Sequence, residues 1–371
     1  MRLTYQGLAS TNRPNLTYEE MNIPTSPCPQ SKLIKGIRWL TEPILDKNVG
    51  DVWSNTWADD DNLYLVGDDT FLGDDPRGRN LSIYKGEGMP PVHKVTPIND
   101  MQEYLQAVVA PWWKGAGLAC IDGVLYLGLY SQSNPNELSP SHLAHNADHS
   151  SIIKSTDYGQ TWSGSPDEHL ANPMFPGKEF STPFFVQYGK NYSGAMDEYV
   201  YMCSNDGGWN NWNRMMLARV LRTKIGALDR RDWEFFMAVD GQNRPTWTSD
   251  VDQSGSIFEH KLHTSMTGIH YVPALDRFLM PQWGYTDLNG ENPLRQTYMH
   301  LYEAPKPWGP WALVHVEEDF GNAWYNPSFP AKWFEDGGLR MWLVSSGDYM
   351  AKRVANRPDY SFCVRKLELV L

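Results

Sequence analysis

Helical pattern is nearly missing from this chain of 371 residues, in which "NDMQEYLQAVV" from Asn99 is the one modest amphipathic candidate. No stretch approaches the roughly 18 consecutive apolar residues of a membrane span, so no membrane partner is expected. Positive charge is scarce: 32 Lys and Arg stand against 44 Asp and Glu, a net charge of −12. No basic run exceeds two residues, which argues against a nucleic-acid groove or an anionic membrane surface. Cysteine is rare. Cys28, Cys120, Cys203 and Cys363 are far apart, form no C-x-x-C, and three of them lie in apolar strand-like segments, where they read as buried free thiols. The opening "MRLTYQGLAS" shows no apolar signal-peptide core, so the compartment stays open.

Aromatic residues, by contrast, are abundant. Sixteen Trp and nineteen Tyr exceed what a core needs, and such rings commonly serve as platforms for sugar faces. Strand pairs joined by tight turns recur along the whole chain. "SNTWADDDNLYLVGDD", "KGAGLACIDGVLYLGLYSQ", "STPFFVQYGKNYSGAMDEYVYMCS", "TGIHYVPALDRFLMPQWGY" and "NPSFPAKWFEDGGLRMWLVSSG" each read as strand, turn, strand. One or two further strands follow each pair, for example "SSIIKS", "QTYMHLYEA" and "WEFFMAV". Five units so spaced predict an all-β fold, a single β-propeller over residues 1–371 with five blades counted. Asp240 to His263 leaves room for a further short blade, so up to seven remain open. "KLIKGIRWL", near 32–40, is expected to close the ring against a C-terminal strand near 361–371.

The stretch Ser155-x-Asp157-x-Gly159-x-Thr161-Trp162 is a strand end, a self-capped turn and the start of a second strand at Trp162. It resembles the Asp-box of sialidase-like propellers. That resemblance implies a rim position, with Asp157 a turn cap and not a catalytic group.

In a propeller the functional face is built from segments before first strands and between second and third strands. This places Asn55, Asp69, Lys114, Trp113, Tyr130, His149, Glu179, Trp209, Trp212, Arg214, His263 and Trp283 on one face, together with Arg77, His142, Arg295 and Asp348. Longer segments, including "TWADDDNLYLVGDD", "RMMLARVLRTKIGALDRRDWEFF" and "EAPKPWGPW", resemble a family of microbial propellers. More distantly they resemble the propeller polysaccharide lyases that cut ulvan and rhamnose-glucuronate linkages. By blade position that resemblance implies β-elimination on a uronate-containing polysaccharide, with His149 as base and Arg214 neutralising the carboxylate, aided by Lys114; Tyr130, standing near the place of another lyase His, departs from the pattern and would serve as acid. The remaining residues, Asn55, Asp69, Trp113, Trp209, Trp212, His263 and Trp283, would bind substrate. For Arg214 the alternative is an ion pair with a loop carboxylate.

Two other functions compete. Glu179, just before "FSTPFFVQYG", resembles the acid position of five-bladed glycosidases, with Asp51 or Asp69 as its partner in a hydrolase. A non-catalytic glycan-binding propeller would need only the Trp residues. No catalytic metal is expected. His142, His145 and His149 fall on a loop, where spacing fixes no shared face, and a structural Ca²⁺ would draw on Asp59, Asp60, Asp61 and Asp68. The partner expected is a poly- or oligosaccharide, and the protein a monomer. Such a substrate favours a secreted or periplasmic setting.

Overall fold

The computed structural model describes residues 25–71, 78–104, 112–134, 145–242, 244–286, 296–322, 324–347 and 360–371. Arg77, His142, Arg295 and Asp348 lie outside the described residues. The described residues form an all-β propeller of five antiparallel units. After a short β1 (Gly36–Trp39), the first unit holds β2 (Ile44–Trp57), β3 (Leu63–Phe71), β4 (Arg79–Met89) and β5 (Val92–Asn99). The second holds β6 (Trp112–Ile121), β7 (Val124–Ser133), β8 (Asn146–Ser155) and the two-residue β9 (Phe175–Pro176). The third is β10 (Phe184–Gln187), β11 (Tyr199–Asn205), β12 (Trp212–Leu221) and β13 (Trp233–Val239), with β14 (Pro245–Thr248) and β15 (Ser256–Thr264) added. The fourth is β16 (Ile269–Val272), β17 (Arg277–Tyr285), β18 (Gln296–Ala304) and β19 (Ala312–Asn322). The fifth is β20 (Tyr325–Ser328), β21 (Phe334–Glu335), β22 (Arg340–Ser346) and β23 (Ser361–Val370).

The segment from Asp240 to His263 makes no sixth blade. Its strand β14 pairs with β13, and β15 pairs with β12, so both extend the third unit. Two first strands, β10 and β16, lie close enough to pair in parallel, Val186 opposite Ile269. Strand β2 spans a seam: Ile44 and Leu45 pair with β23 of the fifth unit, whereas Ser54 to Trp57 pair with β3 of the first. Beyond β23, β1 adds an outermost strand with Gly36 opposite Val370.

Alternation along the strands sends apolar side chains into the wedges between units. Leu118, Leu125, Leu127 and Ile153 of the second unit pack on Val66, Leu81 and Ile83 of the first. Phe175, Phe180, Trp233 and Phe235 fill the next wedge in edge-to-face contacts. Cys120, Cys203 and Cys363 are buried free thiols within strands.

At the end of β8 the turn closes as its residue types dictate. Asp157 Oδ1 accepts from Thr161 N–H (2.9 Å) and Ser155 Oγ–H (2.7 Å), and Oδ2 accepts from Thr161 Oγ1–H (2.6 Å). Gly159 takes φ +87°. No strand begins at Trp162. Ser165 instead caps a short helix α1 (Pro166–Ala171), accepting from Glu168 N–H with Pro at the first helical turn, a start signal stronger than the strand tendency of Thr161-Trp162. Of "NDMQEYLQAVV", the described residues form one 3-10 turn, Gln102–Tyr104.

Candidate active site

Strand β2 is strained in its second half. Val52 (φ 67°) and Trp53 (φ 52°) both occupy the left-handed region, which for a β-branched residue is an outlier held only by its surroundings, at about 1–3 kcal/mol each. Ser346 Oγ accepts the Val52 N–H at 2.9 Å, and the Trp53 ring is wedged edge-on against Tyr84 and Phe362. The kink interrupts pairing with β3 between Asp51 and Ser54. It also delivers Asp51 to Tyr325 and Tyr360, whose hydroxyls both donate to Oδ2, the first at 2.6 Å.

Across the same pair of strands lie Asp68 and Asp69. Asp68 is 1% exposed and accepts the Gly115 N–H on Oδ1 (3.0 Å) and Oδ2 (3.2 Å). Position 115 must be glycine for this approach, since a Cβ there would stand 2.7 Å from Val66 Cγ2 and 3.0 Å from Asp68 Oδ1. Buried Lys114 makes an ion pair with Asp69. Burial pushes the Asp51 carboxyl up to about 6, with Asp69 adding to the rise and Lys114 and the two tyrosines opposing it. Asp68 is raised well above the carboxylate range, by burial first and then by Asp51 and Asp69, against Lys114. For Lys114 burial works the other way, but Asp69, Asp68 and Asp51 outweigh it and hold the ammonium charged. Tyr130 faces the same cluster, and burial with the three carboxylates keeps its phenol protonated.

A second carboxylate centre belongs to the third unit. Arg214 at the head of β12 donates from Nη2 to Glu179 Oε2 (2.9 Å) and from Nε to Asp206 Oδ2 (3.1 Å). Three residues beyond Asp206 in the chain, the Trp209 ring meets Tyr325 at 5.4 Å and Trp283 at 5.3 Å between centroids. Trp209 is half-buried, whereas Trp283 is fully buried and donates its indole N–H to Met266 O at 3.1 Å. Trp283 therefore backs the aromatic wall and presents no open face.

The elimination set does not converge. His149 lies opposite Ser131 on β7 while Tyr130 lies opposite Ser150, so the two side chains stand on opposite faces of the second unit. His149 Nδ1 accepts the Gly177 N–H at 3.3 Å. Arg214 is held by Glu179 and Asp206, as its loop-carboxylate alternative expects. Trp113 donates to Pro166 O (3.2 Å) under α1, and Trp212 lies beneath Lys178 at 5.4 Å. Asn55 donates to Ser328 Oγ (2.9 Å) and lines a small pocket with Gln187, His270 and Asn326. His263 sits between the third and fourth units, its Nδ1 2.7 Å from Tyr298 Oη and its ring 4.7 Å from that of His260.

The four aspartates read as calcium ligands do not share a site. Asp59, Asp60 and Asp61 occupy the β2–β3 turn, about 17 Å of strand from Asp68. Asp60 is bound by Asn62 and Tyr64, and Asp61 by Lys190, Lys332 and Trp57. Among the described residues no group of three His, Cys, Asp or Glu is arranged to hold a metal ion. Asp206 and Tyr360 carry no local motif that would have marked them; each joins the site only through the register of its own unit.

No family model matches the sequence, and no curated protein matches it. Solved structures do. A candidate hydrolase from Bacteroides ovatus ATCC 8483 is 12% identical with a TM-score of 0.55, the match covering 86% of this chain and 85% of that one. A GH43 β-xylosidase/α-arabinofuranosidase from a compost microbial metagenome, solved with xylotriose in a calcium-free form, is 13% identical at a TM-score of 0.48, over 90% and 94% of the two chains. A GH43_1 enzyme from Xanthomonas citri is 11% identical at 0.47, over 88% and 89%. At such identities the likeness is one of fold.

Proposed function

We propose that the protein is a glycoside hydrolase acting on a neutral oligo- or polysaccharide, with Asp51 and Glu179 as its carboxylate pair. One observation carries this reading. There are two carboxylate centres, Asp51 with Asp68 and Asp69, and Glu179 with Asp206; Trp209, three residues along the chain from Asp206, packs on the Tyr325 that donates to Asp51, and the cations of the two centres, Lys114 and Arg214, are each paired with carboxylates of the protein itself. Elimination on a uronate needs a cation to neutralise the substrate carboxylate. Here both cations are already engaged by the protein, Lys114 by Asp69 and Arg214 by Glu179 and Asp206, so neither stands ready to neutralise a uronate, and a neutral sugar needs no such partner. Hydrolysis needs the opposite inventory, one carboxyl that keeps a proton and one that is ionised. The half-buried Trp209 ring offers a sugar the apolar face that such sites use.

The test is product analysis on neutral and acidic glycans in parallel, with Asp51→Asn and Glu179→Gln as controls. New reducing ends without ultraviolet absorbance from an unsaturated uronate, abolished by both substitutions, support hydrolysis. An unsaturated product from an acidic glycan overturns it.

A further inference from the structure

We infer that Asp51, rather than Glu179, is the proton donor of the pair, and that Tyr325 and Tyr360 are positioning residues that fix its proton on Oδ1. The inference rests on the hydrolase reading and assigns roles within it. Both tyrosine hydroxyls converge on Oδ2, filling the two lone-pair directions of that oxygen. Among the described residues Oδ1 has no hydrogen-bond partner, so a protonated Asp51 carries its single O–H there.

The surroundings keep that proton in place. Facing Asp51 are Asp68 and Asp69 from β3, Lys114 from β6, Tyr130 from β7, Tyr325 from β20 with Tyr285 behind it, and Tyr360 ahead of β23. One ammonium serves three carboxylates, and like charges this close cannot all ionise. Asp69 is tied up in its ion pair with Lys114 and Asp68 is sealed under the Gly115 N–H, which leaves Asp51, bonded to the Tyr325 that packs on Trp209, as the member whose proton can reach a ligand. Glu179 is differently placed: its Oε2 accepts an Arg214 guanidinium N–H at 2.9 Å, a charge-assisted bond that fixes its orientation.

The step balances as follows. The bond from the anomeric carbon to the leaving oxygen breaks while that oxygen takes the proton from Asp51 Oδ1. A water oxygen bonds to the anomeric carbon and gives its proton to Glu179. Exchange with solvent then returns a proton to Asp51 and removes one from Glu179.

Two measurements decide it. In carbon-13 carboxyl NMR of Asp-labelled protein, the signal lost in Asp51→Asn should titrate above the ordinary Asp range near 3.9, and move higher still in Tyr325→Phe and Tyr360→Phe, which remove donors to the ionised form. On glycosides, Asp51→Asn should lose about 10²–10⁴-fold on an unactivated substrate yet keep turnover of a dinitrophenyl glycoside, whose leaving group needs no proton, while Glu179→Gln loses both. An Asp51 signal titrating in the ordinary range, or a dinitrophenyl glycoside spared by Glu179→Gln and not by Asp51→Asn, overturns the assignment. If the wild-type protein cleaves no glycoside, the hydrolase reading fails, and the titration still decides where the proton sits.

Discussion

Replacing Lys114 by Met tests the electrostatics of the site without leaving a large cavity. The side chain is 4% exposed and is the cation shared by Asp69, Asp68 and Asp51. Breaking a buried charge arrangement by removing one partner costs about 3–5 kcal/mol. Unfolding entropy of about 2.1 cal/mol/K per residue over 371 residues comes to roughly 0.8 kcal/mol/K, so the melting temperature should fall by about 4–7 °C at pH 8. The loss should depend on pH. Asp51 and Asp68 have folded pKa values raised above the unfolded ones, so the stability they contribute is full at low pH and is lost as pH rises through the folded values. Without Lys114 those values rise further. At pH 5 the carboxylates take up protons, and the deficit of the variant should shrink to less than about half. Thermal unfolding followed by circular dichroism at both pH values reads the difference. An equal deficit at pH 5 and pH 8, or none at pH 8, would refute the coupled cluster.

Asp157→Ala removes three hydrogen bonds from the turn after β8. It should cost about 0.5–2 kcal/mol, seen as a small drop in melting temperature with turnover per folded molecule unchanged. Gly115→Ala places a methyl group against Val66 and Asp68; overpacking of about 1–3 kcal/mol should appear in denaturant titration, together with loss of activity as β6 moves off Asp68. Burial, and then repulsion from His260, lowers the imidazoles of His263 to about 3 and His300 to about 4. Their contribution is present above the unfolded value near 6.5 and is lost as pH falls below it. A His300→Gln protein should therefore lose less stability than wild type between pH 7 and pH 4 in parallel melts.

The repeating pattern of strand, turn and strand was readable because each unit carries its own signals: Asp122-Gly123 closes β6 to β7, and the alternation of "NADHSSIIKS" marks β8. What pairs with what across units was partly hidden. Strands β14 and β15 have the look of a new blade, but only tertiary pairing attaches them to β12 and β13. Blade geometry alone puts Lys114, Tyr130, Glu179, Arg214 and Trp209 among the residues expected on one face. Their partners do not follow from it, since the Arg214 fork needs Asp206 across a tight turn and Asp51 needs hydroxyls from residues 325 and 360, more than 270 positions away. The face on which His149 points depends on register, and one residue of offset separates it from Tyr130.

The most direct test is to incubate wild type, Asp51→Asn and Glu179→Gln with neutral pentose- and hexose-based polysaccharides and with uronate-containing ones, measuring reducing ends and ultraviolet absorbance together. The account predicts reducing ends from a neutral glycan, no unsaturated product from any, and at least about a 10²-fold loss in each variant. An unsaturated product from a uronate glycan, or full activity in both variants, would contradict it.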